Sequence, residues 1–179
     1  PRSAPTLVAL QQNYILQRRY TEARDVGQAA IALVPGDINI VEWQAMGYLG
    51  QGDLKGAREV IRAAIDRGNP APAVAAFFGG YQEVSWALED AERQLLFRLT
   101  PAAFDNDRAW WGQTMAIAYW QQGNSAAARA YADSALPATA VQVAASPRDG
   151  QTHGLHALML AYTGKKAEAI AEAKQAVEL

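Results

Sequence analysis

Apolar residues recur along this chain every three or four positions, the spacing that lines one face of a helix. Leu7, Leu10, Tyr14 and Ile15 make one stripe, and Ala23, Val26, Ala30 and Leu33 make the next, with Arg18-Arg19-Tyr20 as the turn between them. Pro35-Gly36 stops the second stripe, and Asp37 stands where the following helix needs an N-cap. Val41, Ala45 and Tyr48, a break at Gly52-Asp53, and then Leu54, Ala57, Ile61 and Ala64 repeat the plan. A third pair is predicted with its first helix starting near Pro72 and carrying Phe77-Phe78-Gly79-Gly80. Its second helix is predicted from about Trp86 to Leu99, on Leu88, Ala91, Leu95 and Leu99, with Thr100-Pro101 as the stop. After Asp105-Asn106-Asp107 come Trp110, Trp111, Met115, Ala118 and Tyr119, a turn at Gly123-Asn124, and Ala127, Ala128, Tyr131 and Ala135. A looser stretch from Pro137 to Pro147 is expected before Leu155, Leu158, Met159 and Tyr162, a turn at Gly164, and a last helix on Ala167, Ile170, Ala173 and Val177.

One interval underlies these pairs. Ala23, Ala57 and Ala91 are 34 residues apart, and Ala128 and Ala169 follow after 37 and 41. Tyr14 and Tyr48 keep the same distance, as do Ala30 and Ala64. A fixed period of this size means one helical hairpin repeated and stacked. The predicted fold is all-α, a right-handed α-solenoid of about five helix–turn–helix units and about ten helices. The units are expected at about 4–36, 38–70, 72–104, 109–141 and 148–179, within a single repeat domain over 1–179. Both termini read as internal points of a longer protein, since the first residues are Pro-Arg-Ser-Ala-Pro and the last fall in a helical turn.

Composition narrows the function. Half of the 179 residues are hydrophobic, 19% are charged and the formal net charge is −2. Nucleic acid is therefore not an expected partner, because there is no basic excess to neutralise phosphates. No apolar run approaches the ~20 residues that span a bilayer, and no basic amphipathic segment is present to hold one. Cysteine is absent, which removes disulfides, thiol nucleophiles and Cys-based zinc sites. The compartment is left open, a cytoplasmic one being preferred to an extracytoplasmic arm of a membrane protein.

These residues resemble the tetratricopeptide repeat, a 34-residue helix–turn–helix family with small residues at repeat positions 8, 20 and 27, a large one at 11 and often glycine at 15. Position 20 is alanine in all five units. Position 27 is Ala30, Ala64, Arg98, Ala135 and Ala176, and position 8 is Gln11, Ala45, Gly79, Ala116 and Ala157. Position 15 is Arg18, Gly52, Trp86, Gly123 and Gly164. Small residues are needed there because paired helices and successive units meet at close range. Gln82, Trp86 and Arg98 depart from the pattern, so the third unit is the divergent one. The layout is also similar to C-terminal repeat regions of multidomain bacterial signalling proteins, where such repeats follow a Ser/Thr kinase, adenylate cyclase or transcription-regulator domain.

The resemblance implies a concave face built from the first helix of each unit. Its predicted partner-binding residues are Gln12, Asn39, Glu42, Trp43, Met46, Gln113, Ile117 and Trp120, with Val8, Phe77, Trp110, Gln151 and Leu155 also on that face. Such a face is apolar and aromatic, the composition of binding hot spots, and suits a peptide or an amphipathic helix. It has no Lys or Arg at a mapped position, which excludes the carboxylate clamp that grips a chaperone C-terminus. The main expectation is a non-enzymatic interaction module with no cofactor. Self-association through the last helix, on Ile170, Ala173 and Val177, is the alternative. A remoter one is a metal-dependent enzyme using Asp149, His153 and His156, which share one helical face but have no second cluster to complete a site.

Overall fold

The computed structural model describes residues 3–179, and among them there are eleven α-helices, one 3-10 turn and no strand. The chain forms two compact units, one ending at Leu96 and the other starting at Phe97. No helix among the described residues is long and apolar enough to cross a membrane.

The first unit opens with two helical hairpins. Helices α1 (Ala4–Leu16) and α2 (Tyr20–Leu33) form one, and α3 (Ile38–Gly50) and α4 (Leu54–Asp66) the other. Asp37 and Asp53 cap α3 and α4 by accepting the Asn39 and Gly56 amides, which satisfies donors the helix itself leaves open. Ala23, Ala30, Ala57 and Ala64 are fully buried. They sit where a larger side chain would hold paired helices apart. Leu7, Ala30, Ile31 and Ile40 make a core cluster, flanked by Val8 and Val26.

The turn inside each hairpin explains one departure from the repeat pattern. Gly52, Gly123 and Gly164 all have φ between 76° and 83°, the left-handed region. Arg18 holds the same place in the first hairpin with φ 58°, a conformation that costs a side-chain-bearing residue about 1 kcal/mol.

The third pair differs from expectation. Helix α5 (Ala71–Gly80) begins beside Pro72 as predicted, but Tyr81 is extended at φ −101°, ψ 112°. A single turn of helix, α6 (Gln82–Ser85), follows, and the second helix is only α7 (Asp90–Leu96) rather than 86–99. An extended residue and a turn advance the chain without winding it, so the helical phase slips. Ala91 is exposed although it keeps the 34-residue frame, and Ala87 and Leu88 are buried instead. The helix count exceeds ten because this pair is broken in three.

In the second unit a 3-10 turn (Pro101–Phe104) precedes α8 (Arg108–Gln121), which Asp107 caps through the Ala109 and Trp110 amides. Helix α9 (Ser125–Ala145) corrects the expected loose stretch, because it runs through Pro137 for 21 residues. Proline removes one backbone donor, but only that of residue 137, and the Ala-Thr-Ala-Val-Gln-Val-Ala-Ala run after it is helix-compatible. Helices α10 (Gly150–Tyr162) and α11 (Lys166–Glu178) complete the unit. Ala116, Ala132, Ala135 and Met159 form its core cluster, with Tyr131, Leu136, Leu158 and Tyr162 against it.

Candidate partner-binding face

The predicted residues lie on the first helix of each hairpin, but the fold presents them unequally. On α1 and α3, Gln12, Trp43 and Met46 are half-buried and Asn39 is exposed. Asn39 is tied to the cap of its own helix, since both its backbone and side-chain nitrogens donate to Asp37 Oδ1. Gln12 and Val8 line a cleft of about 420 Å³ whose opposite side is Val34, Asp37 and Ile40.

Glu42 is buried, at 5% exposure. Burial and then the negative charge of Glu83 push its carboxyl up to about 7. The Tyr81 hydroxyl is raised for the same reasons, burial first and then Glu42 and Glu83. The first unit therefore holds a carboxyl group that is half neutral near physiological pH, an uncommon state that burial without a cation produces. Phe77 on α5 packs edge-on to Phe78 at 5.4 Å and against Tyr81 at 4.9 Å, so it is occupied within the unit.

On α8 the order reverses. Trp120 is 53% exposed and packs at 5.1 Å against Tyr162 of α10, the rings tilted by 36°. Ile117 is buried and offers no open surface. Gln113 is only 6% exposed, yet it lines a cleft of about 400 Å³ with Trp110. Gln142, Ala145 and Ser146 from the end of α9 and Asp149, Gln151, Thr152 and Leu155 from α10 close the other sides. Trp110 packs edge-on to Phe104 at 5.1 Å, which holds the indole in place.

Pattern reading misses Tyr162 as the partner of Trp120, and it misses the α9 wall of the cleft. The first follows from repeat position, since both residues close the first helix of adjoining hairpins. The second is hidden by Pro137, which reads as a stop.

The histidines are held by protein groups. His153 Nδ1 lies 2.6 Å from Glu172 Oε1, and Nε2 lies 3.2 Å from the Pro147 carbonyl. His156 Nδ1 lies 2.7 Å from Thr139 Oγ1, and burial, its largest influence, lowers the imidazole pKa. Asp149 is engaged as the α10 cap, accepting from Gln151 N at 3.0 Å and Thr152 Oγ1 at 2.8 Å. The three do not converge, and no group of three metal-ligating side chains occurs among the described residues.

Comparison with known proteins decides the fold. A thermophilic TPR protein of Thermus thermophilus matches at TM-score 0.60 and 22% identity, covering 98% of this chain and 91% of that one. Pseudomonas aeruginosa pilF matches at TM-score 0.59 and 15% identity over 98% of this chain and 75% of that one. This chain has the tetratricopeptide-repeat fold. A tetratricopeptide repeat protein from Parabacteroides merdae also matches, at TM-score 0.54 and 18% identity, over 96% of this chain and 63% of that one. No protein-family model matches the chain, and no curated protein sequence does. With identities this low the likeness is one of backbone architecture. The tetratricopeptide frame tolerates the divergence because it needs only small residues at a few contacts and a left-handed turn between helices.

Proposed function

We propose that this protein is a non-enzymatic interaction module that binds a peptide or protein segment on the first-helix faces of its repeats. The carrying observation is Trp120, a large aromatic left half-exposed and packed against Tyr162. Burying a Trp offers more energy than burying any other side chain, and such residues anchor interfaces. Gln12, Asn39, Glu42, Trp43 and Met46 would contribute in the first unit, and Gln113 beside Trp120 in the second, where Ile117 lies beneath the surface. The resemblance in repeat layout supports a finer reading, that the module is the repeat arm of a multidomain bacterial signalling protein.

The test is selection from a displayed library of random peptides. Enriched peptides should lose binding when Trp43, Met46 and Trp120 are replaced together by alanine. Undiminished binding by that variant would remove the first-helix faces from the account.

A second reading is favoured by α11. Ile170 is 47% and Val177 87% exposed, and with Ala173 they line a shallow apolar depression of about 410 Å³. That exposed apolar strip supports self-association through α11. Light scattering at high protein concentration tests it: a mass that stays monomeric removes this reading.

A further inference from the structure

The first unit holds a buried acid with no partner. Glu42 on α3 is 5% exposed, and among the described residues it accepts no hydrogen bond and pairs with no cation. A carboxyl group in that state is rare, because burial takes away its water and gives nothing in return. Its oxygens are still within reach of solvent. The unpartnered side-chain atoms that are sealed off belong to Gln11, Glu92 and Gln113, and none belongs to Glu42. A second carboxylate lies within electrostatic reach. Glu83 is exposed on α6, which packs against α3, and its charge acts on Glu42 and on the Tyr81 hydroxyl at the junction of α5 and α6. We propose that this site takes the side chain of a lysine or arginine from the bound segment, its cation meeting the Glu42 and Glu83 carboxylates.

Charge selects a cation. No Lys or Arg acts on Glu42 or on Tyr81, so the site is negative and uncompensated. A carboxylate or phosphate would be repelled there, and a neutral group would leave the buried acid as it is. Donor number excludes a bare divalent ion. Two carboxylates fall short of the oxygen shell that such an ion needs, and no group of three metal-ligating side chains occurs among the described residues. The surroundings suit a long side chain. Trp43 follows Glu42 on α3 and Met46 lies one turn on, both half-buried, and Phe77 packs against Tyr81 at 4.9 Å. An apolar stem can lie along such surfaces while its charged head reaches the carboxylates.

Pairing would also relieve the acid. Burial, and then Glu83, raises the Glu42 carboxyl to about 7. A cation favours the ionised form, so below that pH binding expels the proton that Glu42 holds. Affinity for a basic segment therefore rises with pH through this range. The titratable groups concerned are Glu42 on α3, Glu83 on α6 and Tyr81 between α5 and α6, and no charged group of α1, α2 or α4 acts on Glu42.

This inference rests on the peptide-binding reading above, and its test separates the two. Selection from the random library should enrich Lys or Arg at one position. The probes are enriched peptides without histidine, synthesised with that basic residue or with norleucine in its place, and the readout is fluorescence anisotropy. At pH 8, Glu42→Gln should weaken the basic peptide roughly tenfold, the value of one charge-assisted contact, and leave the norleucine peptide unchanged. The wild type should bind the basic peptide roughly tenfold more tightly at pH 8 than at pH 6, as the carboxyl ionises, and Glu42→Gln should bind it equally at both. Thermal unfolding of Glu42→Gln at pH 8, with a midpoint no lower than that of the wild type, separates lost binding from lost structure. Enriched peptides with no basic residue, or a basic peptide whose affinity is the same in Glu42→Gln, would overturn the site. If such peptides still fail to bind the Trp43, Met46 and Trp120 variant, the peptide-binding reading stands without it. No enrichment of any peptide would overturn both.

Discussion

Gln11 Nε2 donates to Gln44 Oε1 at 3.0 Å, joining the first helices of two successive hairpins deep inside the first unit. Gln44 passes the chain on to the Arg24 carbonyl at 3.2 Å. Gln11 stands at a repeat position that calls for a small residue, and the space for it comes from Gly27 on α2. A Cβ on Gly27 would lie 2.0 Å from Gln11 Nε2 and 2.1 Å from Gln44 Oε1. The large residue and the missing one compensate each other.

Gly27→Ala should therefore destabilise the protein despite alanine's better helix propensity. The propensity gain is about 1 kcal/mol, and displacing a buried amide pair costs about 1–3 kcal/mol, so a net loss of about 1 kcal/mol is expected. Urea denaturation of Gly27→Ala, Gln11→Ala and the double variant gives the coupling. The double variant should be more stable than the sum of the single effects predicts, and strict additivity would show that the two residues do not share this space.

Arg18 holds, at a cost, a left-handed backbone that glycine supplies in three other hairpins. Arg18→Gly should raise stability by about 1 kcal/mol, seen as a higher denaturant midpoint with an unchanged slope. The same change at Arg19, whose φ is −90°, should give no such gain.

Glu42 gives the protein a pH dependence of known sign. Its folded pKa of about 7 lies above the ordinary 4.5, so between those values the folded state holds a proton that the unfolded state releases. Stability contributed by the neutral form is full below about 4.5, falls as pH rises towards 7 and is flat above. Glu42→Gln should be more stable than wild type at pH 8, by about 3 kcal/mol, and equal to it near pH 4. Thermal unfolding at the two pH values checks this, and an equal difference at both would contradict it.

Much of this fold is legible in the sequence, and the reasons are local. Asp37 announces a helix start because it accepts an amide two residues on, and Gly52, Gly123 and Gly164 announce turns because few other residues enter that backbone region cheaply. The third pair is not legible. Ala91 keeps the 34-residue spacing, but spacing counts residues and not helical phase, and the extended Tyr81 breaks that phase. Pro137 misleads in the opposite direction, because a proline in a long helix removes one donor and the surrounding alanines carry the helix on. The candidate face is read from repeat position alone. Position places Trp120 and Gln113 on the first helix of their hairpin, α8, but it does not say which is open, since that depends on what Tyr162 and the end of α9 bring against them.

Peptide binding on the first-helix faces, as proposed, must change the surroundings of the tryptophans that stand on them. The most direct test is to follow the five indole N–H signals by two-dimensional NMR while a library-selected peptide is added. Trp86 and Trp111 donate to the Glu83 and Leu99 carbonyls and should keep their positions. Trp120 should shift, together with Trp43 or Trp110. A saturating peptide that leaves Trp43, Trp110 and Trp120 unmoved would contradict the account.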